Sequence, residues 1–457
     1  MIIKNLIYIL QANLYDASKF LKFAYTHWQW WKLEKRAKLI WTKKAGLIYT
    51  LTVIMYFVFL WQCFVLFGAW GFIFLLIFIP LLPLYIIFAL WLIEPVDNFL
   101  KERIFQKAKK ILKENKKNII VIGITGSYGK TTTKEILATI LQEKFQVIKL
   151  SENINTDIGI ADFILKNAKI FQKKAIFIVE MGAYKKGEIK RICDLVSPDY
   201  AMLTGINESH LERFGSLGNI VEAKFELPLS AKKMAILNFD DENIYKNYKQ
   251  FDLPKIIGVS KEETKNIKSL ENFGGLEFKF NDTIFRTKLL AVHNISLILL
   301  ASRMAQELGL SLLEISHEVE KIKHIPHRLE LIYNELTKVF VIDDSYNGNF
   351  NGIISGVAVL KTAIGRKIVL TPGLVELGKR TQEIHEKIGQ LYAENKIDLV
   401  LLVKSPASDY IISGLKSKNF KNYKLYKSSQ EAHNDLANVI KSGDTIIFQN
   451  DLPDNYF

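Results

Sequence analysis

The stretch "NIIVIGITGSYGKTTTKEILATILQE", Asn118 to Glu143, decides the fold. Its first seven residues are apolar on both faces, the pattern of a strand buried in a parallel sheet. Gly126 and Gly129 follow, and then a helical pattern with Ile136, Leu137, Ile140 and Leu141 on one face. Strand, glycine loop and helix together let backbone N–H groups wrap phosphate oxygens at a helix N-terminus. In such a loop Lys130 reaches the β- and γ-phosphates, and the Thr131 hydroxyl can ligate Mg²⁺. The generic phosphate-loop pattern asks for glycine five residues before Gly129, where Ile124 stands. A glycine-rich turn without a ligand is the bland alternative, which the strand–loop–helix context disfavours.

Downstream, "QVIKL", "AIFIVE", "YAMLTGI", "MAILNF" and "KIIGVS" are further strand candidates separated by helical patterns, which predicts a mostly parallel sheet covered by helices. "LEFKFNDTIFRTKLL" predicts a hairpin turning at Asn281–Asp282, added at one edge of that sheet. The rhythm restarts with "KVFVID", "KIVLT", "DLVLLVK", "YKLY" and "DTIIFQ", so residues 118–325 are expected to form a central ATP-binding domain and 326–457 a smaller Rossmann-like α/β domain. Glu180 ends an apolar strand, at the sheet edge where open α/β folds gather ligands, and Mg²⁺ favours such a carboxylate. A surface glutamate is an equally good reading of Glu180 alone, and His210 and Lys224 say little by spacing alone.

Upstream, Ala45 to Ile93 is a run of 49 residues without Asp, Glu, Lys or Arg. About 20 apolar residues cross a bilayer, so the run predicts a transmembrane hairpin with spans near 46–67 and 71–93, a turn at Gly68–Gly71, and Pro80 and Pro83 kinking the second span. Lys/Arg-rich flanks place both ends on the cytoplasmic side of the inner membrane. Trp28, Trp30, Trp31 and Trp41 suit the headgroup level. Residues 1–117 thus read as a membrane anchor.

Of the net charge of +14 over 457 residues, +11 falls on residues 1–117, leaving the cytoplasmic part nearly neutral. That distribution argues against nucleic acid as a partner. Cys63 and Cys193 are too few and too dissimilar in setting for a disulfide framework.

The ordered set "ITGSYGKTTTKE", "SENINTDIG", "VEMGA", "HLERFGS…AKFE", "LNFDDE", "HNISLILLA", "RLE" and "IDDSYNGN" resembles the Mur ligases, over roughly residues 119–450. The resemblance is nearest to the branch that adds D-alanyl-D-alanine or a similar unit to a peptidoglycan precursor in cell-wall synthesis. Their phosphate loop also lacks the early glycine. The resemblance implies ATP and Mg²⁺, with an acid activated as an acyl phosphate before an amine displaces the phosphate. It implies that Thr125, Gly126, Ser127, Gly129, Lys130, Thr131 and Thr132 hold ATP, joined by Asn294, Arg328 and Asp344. It further implies Thr131, Glu180, His210 and a CO₂-carbamylated Lys224 as the metal site, with Lys130, Glu180, His210 and Lys224 catalytic. Asn153, Asn155 and Thr156 match the acceptor-substrate segment.

Read by themselves, Asn294 and Asp344 could be helix caps and Arg328 a surface ion pair. Three departures touch substrate recognition: no room for the family's uridine-binding domain between Ile93 and Ile119, Phe350 where the family has proline, and "FQNDLPDNYF" at the C-terminal end. The partners expected are a soluble or lipid-linked cell-wall precursor, an amino acid or dipeptide, and membrane lipid. A membrane ligase making a poly-γ-glutamate-like polymer is the alternative in the same chemistry, and a membrane scaffold that has lost catalysis is the alternative outside it.

Overall fold

The computed structural model describes residues 2–450 apart from 14, 28–29, 31–38, 69, 71–78, 152–153, 209–210, 347 and 376, and apart from the side chain of Glu212. It divides into two compact units, one up to Arg103 and one from Ile104 onward.

In the first unit, helices Lys43–Phe67 and Ile79–Glu114 are long and apolar enough to cross a membrane. The former starts where the Thr42 hydroxyl accepts the Ala45 N–H at 3.1 Å. Trp61, Leu66 and Trp91 are more than 60% exposed, which suits a lipid face and not an aqueous one. Short helices Ile2–Ala12 and Ala17–Thr26 bury Leu6, Ile7, Leu10 and Phe20 against Ala45, Ile48, Ile86 and Ala89. Lys44 and Asp97 pair at 2.8 Å, joining the two long helices at their charged ends. Two expectations change. Pro83 is the second residue of the α-helical stretch Leu82–Glu114, where proline fits without kinking the helix. Trp30 is buried, its indole N–H donating to the Ala24 carbonyl at 2.7 Å, while Trp41 is half exposed. Trp28, Trp31, Ala69 and Gly71 lie outside the described residues.

The second unit begins inside helix Leu82–Glu114. There Phe105, Ala108 and Leu112, at helical spacing, are buried in the core beneath the central sheet. That sheet comprises β1 (Ile119–Thr125), β2 (Val147–Lys149), β3 (Ala175–Met181), β4 (Tyr200–Leu203), β5 (Met234–Asn238) and β6 (Lys255–Val259). It is parallel throughout, in the order β2-β3-β1-β4-β5-β6. Alternate residues of β1 serve different cores. Val121 packs with Phe177 and Phe225, whereas Ile122 and Ile124 pack with Leu297 and Ile298 of helix Asn294–Glu307.

The hairpin forms with Asn281 and Asp282 both at positive φ, but it does not extend the central sheet. Strands β8 (Leu276–Phe280) and β9 (Thr283–Thr287) join β7 (Thr264–Ser269), which the sequence reading omitted, in a separate antiparallel sheet. The C-terminal sheet runs β10-β11-β15-β12-β13-β14, from β10 (Glu330–Asn334), β11 (Val339–Asp344), β12 (Lys367–Thr371), β13 (Leu399–Val403), β14 (Tyr423–Tyr426) and β15 (Thr445–Gln449). Only β10, also unforeseen, is antiparallel to its neighbour.

Candidate active site

The connection from β3 to β4 crosses β1, so the ends of β1 and β4 flank a crevice of the kind that holds ligands in open α/β sheets. The glycine loop fills its floor. A Cβ on Gly126 would sit 2.1 Å from Thr204 Oγ1, and one on Gly205 would sit 2.1 Å from the Tyr128 ring. Gly129 takes φ +76° at the start of helix Lys130–Leu141, a conformation that favours glycine. Ser127 N–H donates to the Gly205 carbonyl at 2.7 Å, and the Tyr128 hydroxyl donates to Asp241 at 2.7 Å. The loop is therefore locked to the neighbouring strand end.

Lys130 Nζ donates to the Gly126 carbonyl at 2.8 Å, folded over the loop, and desolvation in the cleft lowers its pKa. Thr131 Oγ1 donates to Glu180 Oε1 at 3.1 Å. Glu180 is nearly buried, on β3 opposite Ile124 of β1. Arg328 Nη2 donates to Thr131 Oγ1 at 3.3 Å and its guanidinium lies over the Tyr346 ring, so it is no surface ion pair. Thr131 and Glu180 present two hard oxygens beside Lys130 at a helix N-terminus. That donor set fits Mg²⁺ with phosphate oxygens completing the sphere.

Lys224 sits on helix Leu217–Ser230 and is 2% exposed. Burial, assisted by the charge of Lys130, brings its pKa down to about 7. Its Nζ makes no hydrogen bond or ion pair among the described residues and lies 5.8 Å from the Phe214 ring centroid. A large share of this amine is therefore neutral at pH 7, as nucleophilic attack on CO₂ requires.

Other expected residues fall as follows. Thr125 is fully buried and its hydroxyl donates to the Met181 carbonyl at 2.9 Å, tying β1 to β3, and Thr132 is buried too. Asn155 abuts the exit of β3, its carbonyl accepting Gly182 N–H at 3.0 Å, while the Thr156 hydroxyl caps helix Asp157–Lys166. Asn153 and His210 lie outside the described residues. Asn294 is buried as the first residue of its helix, with His293 in the cap position, so it is not the cap. Nor does Asp344 cap the next helix, a role Asn349 takes. Asp344 accepts Leu329 N–H at 3.3 Å, and burial raises its pKa to about 7 against the pull of Arg328. Phe350 is the first residue of helix Phe350–Leu360, a position proline also fits, so the departure leaves the helix start intact. Of the divergent C-terminal end, residues 448–450 are described. Asn450 accepts Gly348 N–H at 3.0 Å and donates to the Gly373 carbonyl at 2.5 Å.

Sequence reasoning missed Lys134. Its Nζ lies 3.1 Å from Glu180 Oε2 and the side chain is 1% exposed. The signal was its place one turn after Lys130 on the same helix.

With this geometry in view, the comparisons are specific. Residues 124–305 match the Mur ligase middle domain, and residues 327–449 match the Mur ligase glutamate ligase domain. A UDP-N-acetylmuramoyl-tripeptide–D-alanyl-D-alanine ligase of Buchnera aphidicola subsp. Baizongia pistaciae is 30% identical over 67% of each chain. The chain belongs to the Mur ligase family. A ligase of the same name from Buchnera aphidicola subsp. Acyrthosiphon pisum is 29% identical over 70% of each chain. The crystal structure of MurF ligase from Thermotoga maritima in complex with ADP superposes with a TM-score of 0.67 at 27% identity, covering 77% of this chain and 80% of that one. As a Mur ligase the protein is an ATP-dependent enzyme forming C–N bonds.

Proposed function

We propose that this Mur ligase joins D-alanyl-D-alanine to a UDP-N-acetylmuramoyl-tripeptide, a step of peptidoglycan synthesis. One observation carries the reading: Lys130, Thr131, Glu180 and Arg328 converge on a single glycine loop from β3, the loop-bearing helix and the C-terminal domain. Nucleotide phosphates would lie against the 126–129 backbone, with Asn294 on the adenine side and Asp344 toward the ribose. Bound Mg²⁺ would neutralise charge on the phosphoryl group in transfer.

The chain's own residues account for the rest. Lys130 and Arg328 offer fixed positive charge where the phosphoryl is transferred, a preorganised stabilisation of the transition state. A carboxylate is a poor acyl donor, so the tripeptide carboxylate takes the γ-phosphoryl first, and the dipeptide amine then displaces phosphate. Contacts between the middle and C-terminal domains, Arg328 to Thr131, His293 to Ser355 and Arg380 to Glu208, would help shield the acyl phosphate from hydrolysis. Lys224, neutral in part, would take up CO₂ as a carbamate and place an anion by the metals, and His210 would join it there.

The two apolar helices would hold the enzyme at the inner face of the cytoplasmic membrane. That arrangement supports a finer reading, a lipid-linked acceptor in place of the soluble one. The test supplies soluble UDP-linked tripeptide, D-alanyl-D-alanine and ATP to the full chain. ADP should appear only with both partners present, and Lys130→Ala should lower turnover by roughly 10³-fold. Release of ADP with a single amino acid and no acceptor would instead indicate a polymer-forming ligase. Rates that rise only with lipid-linked tripeptide would identify that acceptor, and no release with any pair would mean that catalysis is lost.

A further inference from the structure

Glu180 is held from both sides. Thr131 Oγ1 lies 3.1 Å from Oε1, and Lys134 Nζ lies 3.1 Å from Oε2. Lys134 is almost wholly inside the protein, and the other carboxylate it pairs with among the described residues, Glu135, is 3.9 Å away and better exposed. Helix Lys130–Leu141 stacks Lys134 one turn below Lys130, so one lysine faces the loop and the other faces the carboxylate.

A buried ion pair of this kind gives a fold little that an apolar pair of similar volume would not. The pair therefore calls for an explanation in the site itself. Mg²⁺ demands near-octahedral geometry and takes few protein ligands, so a carboxylate free to chelate through both oxygens would compete with the intended arrangement.

We propose that Lys134 is a positioning residue that occupies Oε2 of Glu180 and leaves Oε1, beside Thr131, as the single oxygen offered to Mg²⁺. The inference rests on Glu180 being a metal ligand, as proposed above. Lys134 is 1% exposed and its Nζ lies on the carboxylate. Its effect belongs to the metal-dependent part of nucleotide binding alone.

The experiment measures ADP binding to the full chain by calorimetry, in EDTA and in saturating Mg²⁺, and takes the ratio of the two affinities. Lys134→Met should leave the EDTA affinity within about twofold of wild type and reduce the Mg²⁺-dependent gain by on the order of tenfold. Lys134→Gln, which keeps an N–H donor for Oε2 and a polar partner for the carboxylate, should recover part of that gain and stands in if Lys134→Met does not fold. A wild-type gain in both variants, while Glu180→Gln abolishes it, overturns the inference alone. Equal losses with and without Mg²⁺ also overturn it, because they mark a packing role. A full gain in Glu180→Gln overturns the reading of Glu180 as a ligand and this inference with it.

Discussion

Burying Lys224 opposes folding at neutral pH, and the sign of that opposition is testable. Burial lowers its pKa to about 7, whereas a lysine in the unfolded chain titrates near 10.4. Between those values the unfolded chain binds a proton that the folded chain lacks, so stability rises with pH across this window. Replacing the side chain by Lys224→Met should therefore stabilise the full chain at pH 7 by on the order of 4 kcal/mol in CO₂-free buffer, while abolishing ligation. Melting temperatures at about pH 7 and about pH 9.5 would check this, the gap between variant and wild type narrowing at the higher pH. A pH-independent gap would mark Lys224 as an ordinary solvated lysine. The family resemblance named Lys130, Glu180 and Lys224 as one set, and in the structure Glu180 bears on Lys130 and Lys130 on Lys224. Burial was not readable: Lys134 in the sequence is one more lysine beside a glutamate, and only the packing of its helix on β3 takes it out of water.

Two loops depend on tight packing of their backbone. The phosphate loop depends on close approach, because any Cβ at position 126 meets Thr204 Oγ1 at 2.1 Å and the Gly205 carbonyl at 2.9 Å. Gly126→Ala should lower stability by about 1–3 kcal/mol and weaken ADP binding measurably by calorimetry, since the loop must lift off Thr204–Gly205. The second loop, after β12, is braced by His385. This buried ring donates from Nδ1 to the Thr381 carbonyl at 2.6 Å and accepts Leu374 N–H on Nε2 at 2.8 Å, which fixes it neutral. Burial lowers its pKa below the unfolded value near 6.5, so the unfolded chain binds the extra proton first and stability falls as pH drops below about 6.5. In His385→Gln, thermal melts should show a loss of about 1–3 kcal/mol at pH 7.5 and a flatter acid slope. Element types were legible wherever apolar runs were fully buried, as in β1, β3 and β5. The strands missed, β7 and β10, are edge strands with mostly exposed or half-exposed side chains, so they lack the apolar signal. Their pairing with β8 and β11 is tertiary information, and so is the separation of the hairpin from the central sheet.

Helix Leu82–Glu114 carries apolar sequence in its first half, contains Pro95, and ends in residues that belong to the second unit. Charge made the change of environment after Ile93 legible, but it also concealed the helix's second role. Among its lysines, Ile104, Phe105, Ala108, Ile111 and Leu112 recur at helical spacing, and Phe105, Ala108 and Leu112 are each less than 5% exposed in the core beneath the central sheet. The basic helix thus continues an apolar segment long enough to cross a membrane and also supplies part of the core beneath the central sheet. A chain beginning at Asp97 should be released from membranes, fold, and bind ADP as tightly as the full chain. One beginning at Asn118 loses the buried Phe105 and Leu112, each worth about 2–5 kcal/mol, and should aggregate or melt far below the longer version. Membrane fractionation, melting and ADP calorimetry on the two truncations separate the roles. Equal stability of both would show the helix to be an anchor only, and a membrane-bound chain from Asp97 would move the membrane contact into the catalytic unit itself.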